Sequence, residues 1–260
     1  MIFDTHSHYN DHAFAEDLDE ILRRFQDAGI GWAVNVASDT DSLDEVQELA
    51  DRYPFFYAAL GIHPSDCGAL TEDFPEKLKK RIREGRKVVA LGEIGLDYHW
   101  DEPEREIQQY WFRRQIELAQ ETDMPIIVHS RDAAQDTMEI MRQMHAERTG
   151  GVVHCYSYSL EMAREFVKMG FYIGVGGVVT FKNAKKLKEV VQGISLENIV
   201  LETDCPYMAP TPHRGERNSS LYLPLVIEEI AKLKNIPEDV IIETTRQNAM
   251  RLYRIGDLPA

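Results

Sequence analysis

The chain has 260 residues, 29 Lys and Arg against 44 Asp and Glu, a formal net charge of −15, and 43% hydrophobic and 28% charged content. That apolar share excludes a disordered chain, and no apolar run approaches the ~18 residues of a membrane helix. The acidic balance argues against a protein that grips long duplex through a basic face, while screening over roughly 8–10 Å leaves a local anion site open.

From the N-terminus onward, short runs rich in Val, Ile and Tyr alternate with helical patterns. Strands are predicted at Ile2–His6, Trp32–Ser38, Phe56–His63, Val88–Asp97, Pro125–Ser130, Gly151–Tyr156, Tyr172–Gly177 and Ile199–Asp204. Leu18, Ile21, Leu22 and Phe25 share one helical face after the first strand, and Gly29 stops that helix. Ser42-Leu43-Asp44-Glu45 reads as a capping box, hydroxyl and carboxylate each satisfying a free N–H. Further helices are predicted over about Glu104–Glu121, ended by Met124-Pro125, over Leu160–Met169, closed by Gly170, and near Leu221–Lys234 and Pro237–Tyr253. Eight such units average roughly 32 residues, which suits repeated βαβ units, and strands this apolar are buried on both faces of a parallel sheet. With no linker or composition break, one domain is expected over residues 1–260.

Six of the predicted strands end in a histidine or an acid: His6, His63, Asp97, His129, His154 and Asp204. An open doubly wound sheet concentrates its chemistry at one crevice. A (β/α)8 TIM-like barrel collects it at the C-terminal ends of many strands, and the pattern favours the barrel. His6 and His8 share a strand face and suit one cation, with Asp4 beneath them as an acceptor for an imidazole. Glu93, inside an apolar strand and flanked by Gly92 and Gly95, costs several kcal/mol unless it meets a metal or a buried arginine. Its two oxygens can bridge two cations. Asp97 lies further out on the same face. His129 and His154 end successive strands and fall side by side if these pair. Asp204 suits ligation and acceptance of a proton from water, with Glu202 one layer deeper. Cys155 and Cys205 alternate away from the axis as small core residues.

Divided around a bridging Glu93, these residues make two sites, His6, His8 and Asp204 for one cation, and His129 and His154 for the other. Such ion pairs sit ~3.5–4 Å apart, activate water and neutralise an oxyanion. The local charge would be positive, which suits a phosphodiester.

The sequence resembles the TatD-type metal-dependent deoxyribonucleases and hydrolases, a branch of the amidohydrolase-like barrels, over essentially its whole length. The matching segments include Phe3-Asp4-Thr5-His6-Ser7-His8, Gly61-Ile62-His63-Pro64, Gly92-Glu93-Ile94-Gly95-Leu96-Asp97-Tyr98, His129-Ser130-Arg131-Asp132-Ala133, His154-Cys155-Tyr156-Ser157, Glu202-Thr203-Asp204-Cys205-Pro206-Tyr207 and Pro212-His213-Arg214-Gly215. The resemblance implies two divalent metals (Zn, Mg, Mn, Co or Fe) held by His6, His8, Glu93, His129, His154 and Asp204. It also implies hydrolysis of nucleic acid, often from an end, with Asp204 catalytic and His63 beside the scissile phosphate. Arg131, Arg214 and Arg217 are further candidates for phosphate contact.

Three positions depart from the family pattern, Ser65, Tyr158 and the pair Ser219-Ser220, all in loops expected to shape the substrate cleft. Tyr98, Trp100, Tyr156, Tyr158 and Tyr207 are candidates to stack on unpaired bases. With no basic stripe for duplex, single-stranded DNA ends are the expected partner, and neither a membrane nor an obligate protein partner is expected. Three cysteines, Cys67, Cys155 and Cys205, cannot all pair, and the start of the chain shows no basic signal segment, so a reduced, cytoplasmic protein is expected. The rival chemistry is an amidohydrolase or lactonase acting on a C–N or C–O bond. Many of those bridge their metals with a modified lysine, where this chain carries Glu93.

Overall fold

The computed structural model describes residues 1–100 and 102–256, so the last four residues of the domain expected over 1–260 lie outside it. Strands β1 (Ile2–Ser7), β2 (Ile30–Val36), β3 (Phe56–Leu60), β4 (Val88–Asp97), β5 (Ile126–Arg131), β6 (Gly151–Val153), β7 (Phe171–Val175) and β8 (Ile199–Leu201) pair in parallel and in chain order. Helices α1 (Leu18–Arg23), α2 (Ser42–Arg52), α3 (Phe74–Glu84), α4 (Arg105–Thr122), α5 (Ala134–Gln143), α6 (Leu160–Lys168) and α7 (Lys185–Gly193) connect them, and α8 (Leu223–Lys234) and α9 (Glu238–Leu252) follow β8. This is the expected (β/α)8 barrel.

The seam between β1 and β8 closes through a bridge of Ser7 to Cys205. There His8 N donates to Cys205 O at 2.8 Å and Asp204 N to His6 O at 2.9 Å. Asp4 reinforces the seam, its Oδ2 accepting from the hydroxyls of Thr203 at 2.8 Å and Ser220 at 2.6 Å. It takes the backbone N–H of His6 rather than any imidazole, so the expected role of Asp4 behind a ligand ring is corrected. Its depth beneath the site gives it only backbone and hydroxyl neighbours.

Second residues of six strands, Phe3, Tyr57, Val89, Ile127, Val152 and Val200, build an apolar layer with Trp32 and with Leu252 and Tyr253 at the end of α9. Tyr253 donates to Thr5 O at 2.7 Å, so α9 covers the end of the barrel where the strands begin. The opposite end stays free for chemistry. No helix among the described residues is long and apolar enough to cross a membrane.

Two local expectations are corrected. Ser42 already lies inside α2, and its hydroxyl accepts from Ser38 N and Asp39 N, both 3.0 Å away. Asp39, not Ser42, accepts the free N–H groups of Asp41 and Ser42, and Glu45 takes the amide of Asn10. Strands β3, β6 and β8 also stop before the histidine or acid that follows them. Cys155 and Asp204 have φ of 44° and 58°, so the backbone leaves the extended region where the site residues begin.

Candidate metal centre

Glu93 stands in the middle of β4, 3% exposed, and its two oxygens face different partners. Oε2 lies 3.4 Å from His6 Nε2 and 4.0 Å from His8 Nε2. Oε1 lies 2.7 Å from His129 Nδ1 and 2.5 Å from His154 Nε2. Asp204 Oδ1 joins the first group at 3.4 Å from His8 Nε2 and 3.7 Å from His6 Nε2. All six residues singled out as ligands in the sequence therefore meet at the strand ends. Two groups able to hold a cation share Glu93, one with His6 and His8 and the other with His129 and His154.

Outer hydrogen bonds fix two of the imidazoles, so that a cation would have only to displace a proton from the nitrogen that faces inward. His8 Nδ1 donates to Val36 O at 2.8 Å, which leaves its Nε2 as the acceptor nitrogen of the neutral ring. His129 Nε2 donates to Asp97 at 3.1 Å, which leaves its Nδ1 toward Glu93. Nitrogens meet at 3.1 Å between His6 and His8 and at 3.2 Å between His129 and His154. Two lone pairs that close repel without a shared proton or cation, and a divalent ion accepts both. The donor set of imidazoles and carboxylates fits such an ion.

Charges are strongly perturbed here. Burial, the largest influence on Glu93, would raise its carboxyl, but the His154 charge and bonds from three histidines hold it well below the usual range. Burial opposes protonation of His129, yet bonds to Asp97 and Glu93 bring it up to about 9. His6 is pushed down to about 4 by burial and then by the charge of His154. Burial raises Glu202 to about 8, and one of its oxygens accepts from Cys155 N.

His63 follows β3, with Nε2 3.9 Å from Glu93 Oε1 and its ring against His129. Its Nδ1 accepts from Ser65 N at 3.1 Å, so Nε2 carries the proton. Burial, and then His129, lower its pKa to about 3, which keeps the ring neutral. Arg131 ends β5, exposed above the centre, and no ion pair to Asp132 forms; that acid meets His99 instead. Arg217 is committed to Asp17 and to Ala13 O, which withdraws it from phosphate contact. Arg214 lies over the ring of Phe181, 4.4 Å from its centroid.

Other expectations divide by burial. Cys205 is a core residue as expected, but Cys155 is half-buried and lines the cleft, because its left-handed backbone breaks the alternation. Ser220 is buried under Asp4, and Tyr158 bonds Ser130, so these two departures support the barrel rather than the cleft. Only Ser65 borders it. Of the five aromatics, Trp100 and Tyr207 are exposed, at 67% and 55%, while Tyr98 and Tyr156 are buried. Sequence reasoning passed over Phe181, Lys185 and Lys186 in the cleft beside His154. A Lys-Lys pair opening α7, without an acid in its first turn, was the available signal.

Comparisons with known proteins give the family and the fold. The family model described as TatD related DNase matches residues 3–254. The uncharacterized metal-dependent hydrolase YabD of Bacillus subtilis is 45% identical over 256 residues, 98% of this chain and 100% of that one. YjjV of Escherichia coli, also called an uncharacterized metal-dependent hydrolase, is 35% identical over 253 residues, 97% of each chain. The crystal structure of YjjV superimposes with a TM-score of 0.92 at 34% identity, covering 98% of both chains. A TatD-family hydrolase of Entamoeba histolytica shares the fold, with a TM-score of 0.87 at 22% identity over 97% of both chains.

Proposed function

Because the chain belongs to the TatD family of metal-dependent hydrolases, we propose that it cleaves phosphodiesters at the ends of single-stranded DNA, using two divalent cations. The observation that carries this reading is the split of Glu93, one oxygen toward His6 and His8 and the other toward His129 and His154. In it, Asp204 completes the first site. The family description names a DNase, while the relatives' names say only metal-dependent hydrolase. Mixed nitrogen and oxygen donors suit Zn, Mn, Co or Fe, and Mg in a more oxygen-rich filling.

When bound, the cations polarise water and neutralise charge on the phosphate. The chain supplies the rest. Asp204 accepts a proton as the water oxygen bonds to phosphorus, and the bond from phosphorus to the departing sugar oxygen breaks, that oxygen taking up a proton from solvent water. His63, neutral, offers Nε2–H to a non-bridging oxygen. Arg131, exposed at the rim, offers a fork of donors to the same anion. The three free cysteines suit the reducing cytoplasm.

The test pairs elemental analysis of protein purified without chelator with digestion of end-labelled strands. About two divalent ions per chain and stepwise shortening are expected. His129→Ala should lower metal content toward one and hydrolysis by about a hundredfold or more. Full metal and full hydrolysis in that variant would remove the second site from the reading.

A further inference from the structure

Two clefts meet over the metal centre, and their charges differ. Both are bordered by His129, His154, Asp204, Arg131 and Tyr207. One, of about 910 Å³, has an apolar wall that includes Val178, Phe181 and Met208, and a basic lip of Lys185 and Lys186. Both lysines are exposed, and neither forms an ion pair among the described residues. The other, of about 680 Å³, is walled by Asp11, Asp39, Asp41, Glu45 and Asp66, and among the described residues Arg131 is the one lysine or arginine that lines it. Trp100 stands on that side, mostly exposed.

A polynucleotide carries a phosphate at every step, so its body follows the path that attracts anions. Five carboxylates in one cleft repel a phosphate within the ~8 Å reach of unscreened charge. Resting on the nuclease reading above, we propose that the body of a single strand lies in the cleft of Lys185 and Lys186. Only a terminal nucleoside ending in a hydroxyl then enters the acidic cleft, where its base meets Trp100. Phe181, already backed by Arg214, gives the strand an aromatic wall on the basic side. A strand interior laid across the centre would put phosphates among the carboxylates. The charge contrast thus makes cleavage end-directed without any structure that blocks the path.

The test measures kcat/KM on single strands of about two to twelve nucleotides, ending in a hydroxyl or a phosphate, over a range of salt. For the native protein, kcat/KM should rise with length, and a phosphate on the processed end should slow cleavage. The double substitution Lys185→Ala, Lys186→Ala should flatten the length dependence and reduce the salt slope by about 1.4, at about 0.7 per lost phosphate contact. Asp66→Lys should relieve the penalty of the terminal phosphate. An unchanged length dependence and salt slope in the double variant would overturn the assignment, as would faster cleavage at a phosphate-bearing end. Hydrolysis of bis(4-nitrophenyl) phosphate with no cleavage of any strand would instead overturn the nuclease reading, and the assignment with it.

Discussion

Asp97 holds His129 by its outer nitrogen, Oδ2 to Nε2 at 3.1 Å, and so turns Nδ1 toward Glu93. A carboxylate behind a ligand imidazole selects its tautomer and raises its basicity. Asp97 also accepts from His99 N through its other oxygen, which fixes the carboxylate itself. Asp97→Ala should therefore weaken metal binding by about 10–100-fold, read by competition with a chelator. Asp97→Asn, which still accepts through its carbonyl, should recover part of that loss. Equal affinity in all three proteins would show that the ring needs no such support.

His63 touches the centre without completing either ligand group. Its Nε2 is 3.9 Å from Glu93 Oε1, too far for a hydrogen bond, so its proton is left for a substrate oxygen. His63→Ala should lower kcat by about 10–100-fold, the worth of one hydrogen bond to a charged group, with metal content unchanged by elemental analysis. A fall in bound metal would make His63 a ligand instead.

Arg217 bears on stability rather than turnover. Its bond to Asp17 lowers that carboxyl below the usual value of 3.8. A depressed acid stabilises the fold above its unfolded pKa, and that stability is lost as pH falls through the folded one. Both side chains are 36% exposed, so Arg217→Ala should cost only about 0.2–1 kcal/mol at neutral pH. The difference from the native protein in denaturant unfolding should shrink below about pH 4. Turnover should fall less than in His63→Ala.

Gly95 pairs directly with His129 across β4 and β5, at φ 148°. A Cβ there would sit 1.9 Å from His129 O. No side-chain motion relieves a contact with backbone, so Gly95→Ala should destabilise the protein by at least about 2–3 kcal/mol. Thermal unfolding of chelated protein checks this apart from any effect on metal.

The barrel was legible because eight buried strands repeat with one period and because histidines and acids recur at their ends. The convergence of the proposed ligands followed from the same placement, Glu93 most directly, since a carboxylate among Leu91, Ile94 and Leu96 demands a partner. What escaped was whatever depends on backbone turning after a strand stops. Alternation carried past Val153 sends Cys155 to the core, whereas its φ of 44° leaves it at the cleft. Arg217 and Arg131 look alike in the sequence. Only the approach of Asp17 from the segment before α1 separates a bound guanidinium from a free one. Ser220 likewise gains its role from Asp4 and Tyr9, more than 200 positions away.

The seam that joins Asp4 to Thr203, 199 positions apart, sets an order on biosynthesis. Glu93, His129 and His154 lie on adjacent middle strands and leave the ribosome within one stretch of polypeptide. His6 and His8 leave it first, yet they wait for Asp204, whose strand emerges near the end of translation. A nascent chain can thus bring Glu93, His129 and His154 together while Asp204 is still unmade, and on the two-cation reading the site of His6, His8 and Asp204 would await release of nearly the whole protein.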